Sequence, residues 1–586
     1  MPNTRFLNIV LMVCSIALIG VGCSKPADDT PASALRSGDG ILKYIPAETP
    51  YVFAMPAAMP EDVLDKLEPH IDAILSSYRE IVSMAIDSVA AETADDAEDA
   101  ENIQNFVSVA EEFMGLMSYS ELRAAGLPRN ARAAFYGVGM LPVLRVKLDD
   151  AAAFEKTITR FEETAGASMS TASIDGHSYR YAGDDELRII LGILDDHIVV
   201  TLVPAALSEE RLAAVLGIEL PAQNIGESGG LENIANDYGY APYALGYIDF
   251  ERLISTFLDN QDGVNAELLA LMDYENELTD VCRAEIREMS GIMPRLVSGY
   301  TEISVERFSS NTIIELRSDI AAGFAGLVAS VPGLGIDHGG LISFGLSIDL
   351  LGAREFYEAR LDALEADPYQ CELFADMQNG VAAGRQALDQ PIPPIAYDFN
   401  GFLAVIDNIE GFDFASQKPP SAIDMGLLIA TKNAEGLIAM GSMFSPELAA
   451  LNLQPDGQPV KVEVPPVGVQ FDSVFIGMNE SGLVIAVGDN AESRVSEMLS
   501  AKAGDPPPFV SMSMDSAKYY ELIGNTMMAG STEADENSEA PEMSPDAEKA
   551  IGDVLQELGK IIDRIAVDIN FTERGIEFPT TVTLAP

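Results

Sequence analysis

The scarcest reactive side chains in this 586-residue chain are four histidines and four cysteines, and their spacing decides which chemistries are open. His70, His177, His197 and His338 form no HxH or HExxH pair, and neither Cys282 nor Cys371 has a CxxC partner or a nearby histidine. A zinc site therefore lacks its ligand set. No GxxxxGKS/T loop is present to cradle a phosphate. His177 and His197 fall at expected hairpin turns, where a solvated imidazole is the ordinary outcome. His338 lies in the Gly-rich run Gly333–Gly340, which neither follows a clear strand nor opens a helix. Asp149, Asp249, Asp349 and Asp515 each stand where an apolar strand run meets a helix-like run, the place for an N-cap rather than a catalytic acid. The acidic stretches 92–101 and 531–548 lack the alternating ligands and fixed glycine of a calcium loop, as does the LDNQDG run near Asp259. A non-catalytic protein without metal or cofactor is expected. A hydrolase with a site dispersed along the chain is the remaining enzymatic alternative.

The start of the chain carries an address. Arg5 precedes an uncharged run from Phe6 to Val21, whose 16 residues are short for a membrane span. Small residues follow at once, as in a cleaved secretory signal. The sequence Ile19-Gly20-Val21-Gly22-Cys23-Ser24 resembles the lipobox of bacterial lipoprotein precursors, with Gly20 where that family usually carries Leu, Val or Ile. The resemblance implies a signal peptide over 1–22, acylation of Cys23 and attachment to a membrane through the N-terminal lipid. Because Ser24 stands where lipoproteins kept at the inner membrane commonly have Asp, it also implies the outer membrane, facing the periplasm. One acyl chain anchors only marginally, so two or three would be needed for permanence. The alternative is an ordinary secreted protein in which Cys23 is incidental. Residues 23–40 read as a polar tether.

Export bears on the remaining cysteines. Cys282 and Cys371 form an isolated even pair, which in an exported chain favours a disulfide, two buried thiols being the alternative. Between them the body of the chain and its flanks repeat a loose hairpin-helix pattern. Leu187–Val203, Gly426–Met443 and Ser473–Gly488 each read as a strand, a polar turn and a strand, followed by a helix. Further hairpins are expected at Ser173–Tyr179, at Ile303–Glu315 around Ser309-Ser310-Asn311, and at Ile565–Phe578. The fold class is α+β, with largely antiparallel sheets built from hairpin-helix units and helices on one face. Expected domains cover 41–228 and 229–503, the second with a possible subdomain boundary near 390. A C-terminal segment, 504–586, follows, with an acidic mobile insertion at 529–548.

Composition limits the partners. A net charge of −57, which becomes −58 without residues 1–22, excludes the basic footprint that nucleic acid requires. Ile320–Ile336 is an uncharged run of 17 residues, read either as a core helix ending at Val331 or as an apolar surface for lipid, a subunit or a hydrophobic ligand. Pro46, Ala47, Thr49 and Pro50 resemble the P-A-x-T-P opening of a group of large bacterial exported proteins without an established activity. The expected function is a lipid-anchored, non-catalytic binding or scaffolding module of the cell envelope, with an envelope protein as partner. A carrier of a hydrophobic ligand or lipid in the periplasm is the alternative.

Overall fold

The computed structural model describes residues 34–36, 40–92, 107–259, 263–271, 278–411, 420–444, 446–463, 473–530 and 545–586. Cys23, the leader, most of the tether and most of both acidic stretches lie outside them. The chain divides into two units. Unit 1 comprises residues up to 277 with 295–310 and 546–557; unit 2 comprises 278–294, 311–545 and 558–586.

Unit 1 contains, among the described residues, β1 (Tyr51–Met55), β2 (Ala133–Val138), β3 (Leu141–Lys147), β4 (Ser170–Ile174), β5 (His177–Gly183), β6 (Leu187–Leu194), β7 (His197–Pro204), β8 (Leu245–Asp249) and β9 (Arg295–Ile303). All pair antiparallel, in the order β4-β5-β6-β7-β3-β2-β1-β8-β9. The tight turns are set by residues that tolerate positive φ. Asp175 and Gly176 (49° and 83°) join β4 to β5, and Asp195 and Asp196 (50° and 56°) join β6 to β7, the primed-turn geometry whose twist suits a hairpin. Helices lie on both faces of this sheet. Val146 packs with Phe154, Ile158 and Phe161 of the helix Ala151–Thr164. Its neighbour Arg145, pointing the other way, donates to the last carbonyl of the helix Glu209–Leu216. One covered face was expected; β3 is instead apolar on both sides, so each side needs a layer.

Unit 2 holds β10 (Arg307–Glu315, from Asn311 onward), β11 (Ile342–Ser347), β12 (Phe399–Glu410), β13 (Ala422–Thr431), β14 (Val460–Val462), β15 (Val474–Asn479), β16 (Gly482–Val487), β17 (Val510–Asp515), β18 (Ile562–Thr572) and β19 (Gly575–Leu584). Its antiparallel order is β14-β15-β16-β13-β12-β11-β17-β18-β19, with β10 beside β19. Strand for strand, β5-β6-β7-β3-β2-β1-β8-β9 of unit 1 and β14-β15-β16-β13-β12-β11-β17-β18 of unit 2 follow one topology. In each, the first strand sits centrally. A hairpin is laid on one side of it, and a later strand returns to its other side before an acidic cap and a helix.

That return explains where the expected boundaries fail. Residues 245–249 pair with β1 and 510–515 pair with β11, so neither 228/229 nor 503/504 divides the fold. A strand closing a sheet from far along the chain leaves no linker composition behind. Two expected hairpins also differ. After β13, Asn433 accepts from Gly436 N at 2.9 Å and starts the helix Ala434–Ser442, so the apolar run LIAMGS is helical. The turn expected at Ser309–Asn311 lies at residues 304–306, where Ser304 N donates to Arg307 O. The caps hold with small shifts: Asp249, Asp349 and Asp515 each accept from a first-turn amide, whereas Asp150 caps in place of Asp149. Ser208 makes no side-chain cap; its N and Oγ donate to Glu267.

Candidate functional site

A concavity of unit 1 is built on a row of cross-strand neighbours. Phe53 of β1 faces Phe135 of β2, and Phe135 faces Leu144 of β3. On the other side Phe53 faces Gly246 of β8, which faces Ser298 of β9. Cross-strand partners share a face of the sheet, so a ring, a ring and an isobutyl group stand in a row that ends beside a glycine overlain by the Phe53 ring. Gly246 is required there: a Cβ would come 2.6 Å from Phe53 Cδ1 and 2.1 Å from Val52 O. The result is a cleft of about 340 Å³ bounded also by Met55, Ala133, Leu245, Tyr300 and Ser310. This lies at the small end of the roughly 300–1,000 Å³ found for small-molecule sites. No charged residue lines it, and its polar side chains are hydroxyls. Phe135 is 43% exposed, and Tyr51 stacks on it at a centroid distance of 5.6 Å. Tyr51 OH donates to Met140 O, and burial pushes its hydroxyl up to about 12. It is a rigid wall rather than a proton donor.

The opposite face of the same sheet carries the most deeply buried charge. Arg145 is 0% exposed. Its guanidinium lies 3.6 Å from the centroid of Tyr44, and its Nη2 donates to Leu216 O at 2.5 Å. Nε reaches Tyr136 OH at 3.4 Å, while Nη1 has no hydrogen-bond partner. The negative end of the Glu209–Leu216 helix supplies the countercharge. Tyr44 OH in turn donates to Asp195 Oδ2 at 3.1 Å. The group fastens hairpin to helix.

His197 belongs to the same cluster and is buried, not solvated as expected at a turn. It packs edge-on to Tyr44, and its Nδ1 is 2.6 Å from Asp195 O. Burial, then the nearby Arg145, hold its pKa down at about 4. The folded protein thus keeps His197 neutral where the unfolded chain would take a proton near pH 6.5. Between those values the unfolded state binds more protons, so stability falls as pH falls through the window. The loss reaches about 3 kcal/mol at its lower end. Chemical unfolding followed from pH 7 to pH 4.5 is expected to show this loss for unit 1, and His197→Gln is expected to flatten it.

The other reactive groups stay apart. His70 Nδ1 meets Glu557 at 2.6 Å, His338 Nε2 meets Gly333 O at 2.8 Å, and His177 is exposed. Gly226-Glu227-Ser228-Gly229-Gly230 spells the GxSxG pattern, although no such nucleophile elbow was expected in the chain. No strand leads into it, however, and Ser228 Oγ donates to Ile225 O rather than to a histidine. Among the described residues no group of three metal-ligating side chains is assembled, and no helix is long and apolar enough to cross a membrane. In unit 2 the sulfurs of Cys282 and Cys371 lie 2.06 Å apart as a disulfide.

The Ile320–Ile336 run is partly buried, with Ile336 41% exposed. Its helix is Ser318–Ala325, short of Val331, and Ala321, Val331 and Leu334 are buried in unit 2. Gly323 lies against Phe356, where a Cβ would come 2.1 Å from Cε2. The small residues accommodate the chain's own side chain. The cleft residues were missed because AAFYGV reads as a buried strand throughout; only the register reveals that Phe135 lacks a helix above it. Comparison of the chain with family models, curated proteins and solved structures gives no match.

Proposed function

We propose that this protein is a non-catalytic binding module of the cell envelope that takes a neutral apolar ligand in the unit 1 cleft. It would be held at the outer membrane, facing the periplasm, by acyl chains on Cys23. The observation that carries the reading is the cleft itself: aromatic and aliphatic walls, hydroxyls, and no charge in a chain of net charge −57. Burying a carboxylate or phosphate there would leave it unpaired, which costs several kcal/mol, so acidic ligands are disfavoured. A single alkyl chain with an ester or hydroxyl end suits both the volume and the polar groups. The lipid anchor rests on the resemblance around Cys23 and keeps the module near a source of such ligands.

A scaffold for an envelope protein is the second reading. It is supported by Met443 and Phe444 of unit 2, which are 81% and 85% exposed side by side. Affinity isolation from membranes, with mass spectrometry of both lipids and proteins, separates the two. Ligand binding predicts a neutral lipid that co-purifies with the wild type and is depleted at least tenfold in Phe135→Asp. A preparation free of lipid but carrying one stoichiometric protein would favour the scaffold. An unmodified Cys23 thiol in the intact mass would remove the anchor from either reading.

A further inference from the structure

The shared topology of the two units raises the question of what occupies, in unit 2, the place of the cleft. β11 corresponds to β1, β12 to β2 and β17 to β8. Phe344 of β11 holds the position of Phe53, exposed on the central strand. It faces Ala404 of β12 on one side and Met512 of β17 on the other. Phe344 and Met512 are 42% and 41% exposed, and Phe402 stands 5.8 Å from Phe344, centroid to centroid. The residues of opposite parity, Ser343, Leu403 and Val405, are buried, so the sheet's other face is already packed and this one is not. The cross-strand row passes through Leu427 of β13, opposite Ala404, and on to Ile485 of β16 and the buried Ile476 of β15. No side chain in the row is charged.

We infer that this face of unit 2 is a second site for the same class of neutral apolar ligand, so that one chain binds two. The inference rests on the ligand-binding reading of unit 1. Charge argues for the occupant. In a chain with 92 carboxylates and 35 basic residues, an uncharged open row offers no ion-pair partner to a charged protein surface and no counterion to an anionic lipid. A neutral alkyl chain loses nothing there. The two rows differ where Phe135, Gly246 and Ser298 of unit 1 give way to Ala404, Met512 and Val567 in unit 2; Met512 places a side chain beside Phe344 where Gly246 has none beside Phe53. The second site is shallower and buries less of the ligand, so it binds more weakly.

Native mass spectrometry of the whole exported chain titrated with monooctanoylglycerol tests this. Two successive adducts are expected, the weaker lost in Phe344→Asp and the tighter lost in Phe135→Asp. Met512→Gly, which copies the unit 1 pattern, is expected to tighten the weaker event by about tenfold. That gain cannot arise from loss of folding. A single adduct that vanishes in Phe135→Asp and ignores both unit 2 variants would overturn the second site while leaving the cleft in place. No adduct at all would overturn both.

Discussion

Replacing Cys282 and Cys371 together by serine is expected to destabilise unit 2 by about 4–5 kcal/mol. The bond closes a separation of 89 residues, and the entropy removed from the unfolded chain scales with the logarithm of that loop. Geometry on both sides supports the bond. Cys282 lies in the first turn of the helix Asp280–Ser290, whose Thr279 cap accepts from Cys282 N at 3.1 Å. One turn on, the Glu285 carboxylate accepts from Gln370 N and Cys371 N at 2.8 and 2.9 Å. The helix therefore grips the segment through both a covalent link and two charge-assisted hydrogen bonds. It also explains why residues 278–294, although flanked in sequence by unit 1, belong to unit 2. Urea unfolding under oxidising and reducing conditions measures the effect. The reduced wild type should match the double serine variant, and unit 1 should keep its own midpoint.

Arg145→Ala is expected to cost unit 1 about 3–5 kcal/mol, from the cavity left by a large buried side chain together with the carbonyl it orphans. Truncation leaves Leu216 O without its donor and opens a void beneath Tyr44 and Tyr136. Arg145→Met separates the contributions. It fills most of the volume and removes the charge together with the unpartnered Nη1, so it should cost far less than alanine. Arg145→Lys should not rescue, because an ammonium has neither the plane that lies over Tyr44 nor the reach of two nitrogens. Hydrogen exchange of the β3 and β7 amides reads unit 1 directly, since a two-unit chain need not unfold in one step. Equal losses for alanine and methionine would show that charge, not packing, dominates at this position.

What could be read from the residues follows the range over which each signal acts. Asp175-Gly176 and Asp195-Asp196 announced their turns because positive φ is a local demand that few residues meet. Asp249, Asp349 and Asp515 announced caps because a first-turn amide is three residues away or fewer. The Cys282–Cys371 pairing was legible by elimination among few cysteines. The run after Asn433 was not, since a short apolar segment serves helix or strand equally until its neighbours are known. His197 was misjudged for the same reason: its turn is local, but its burial comes from Tyr44 and Arg145, more than 50 positions away in the chain.

The cleft was the least legible feature. Phe53, Phe135, Gly246 and Ser298 are brought into line by register alone, across four strands drawn from distant parts of the sequence. In Ile320–Ile336, by contrast, apolar residues are contiguous, and Ile320, Ala321, Val331 and Leu334 of that run are buried while Ile336 is 41% exposed. Contiguity marks what must be hidden. A binding face interleaves with buried residues at every second position and shows only when the strands are aligned.

The most direct test of ligand binding is photolabelling with an uncharged alkyl diazirine, followed by peptide mapping of the attached residues. Occupancy of the unit 1 cleft predicts label on β1, β2 and β9, centred on Phe53, Phe135 and Tyr300, and competed away by excess monooctanoylglycerol. Label spread over the surface without competition, or absent from those three strands, would contradict it.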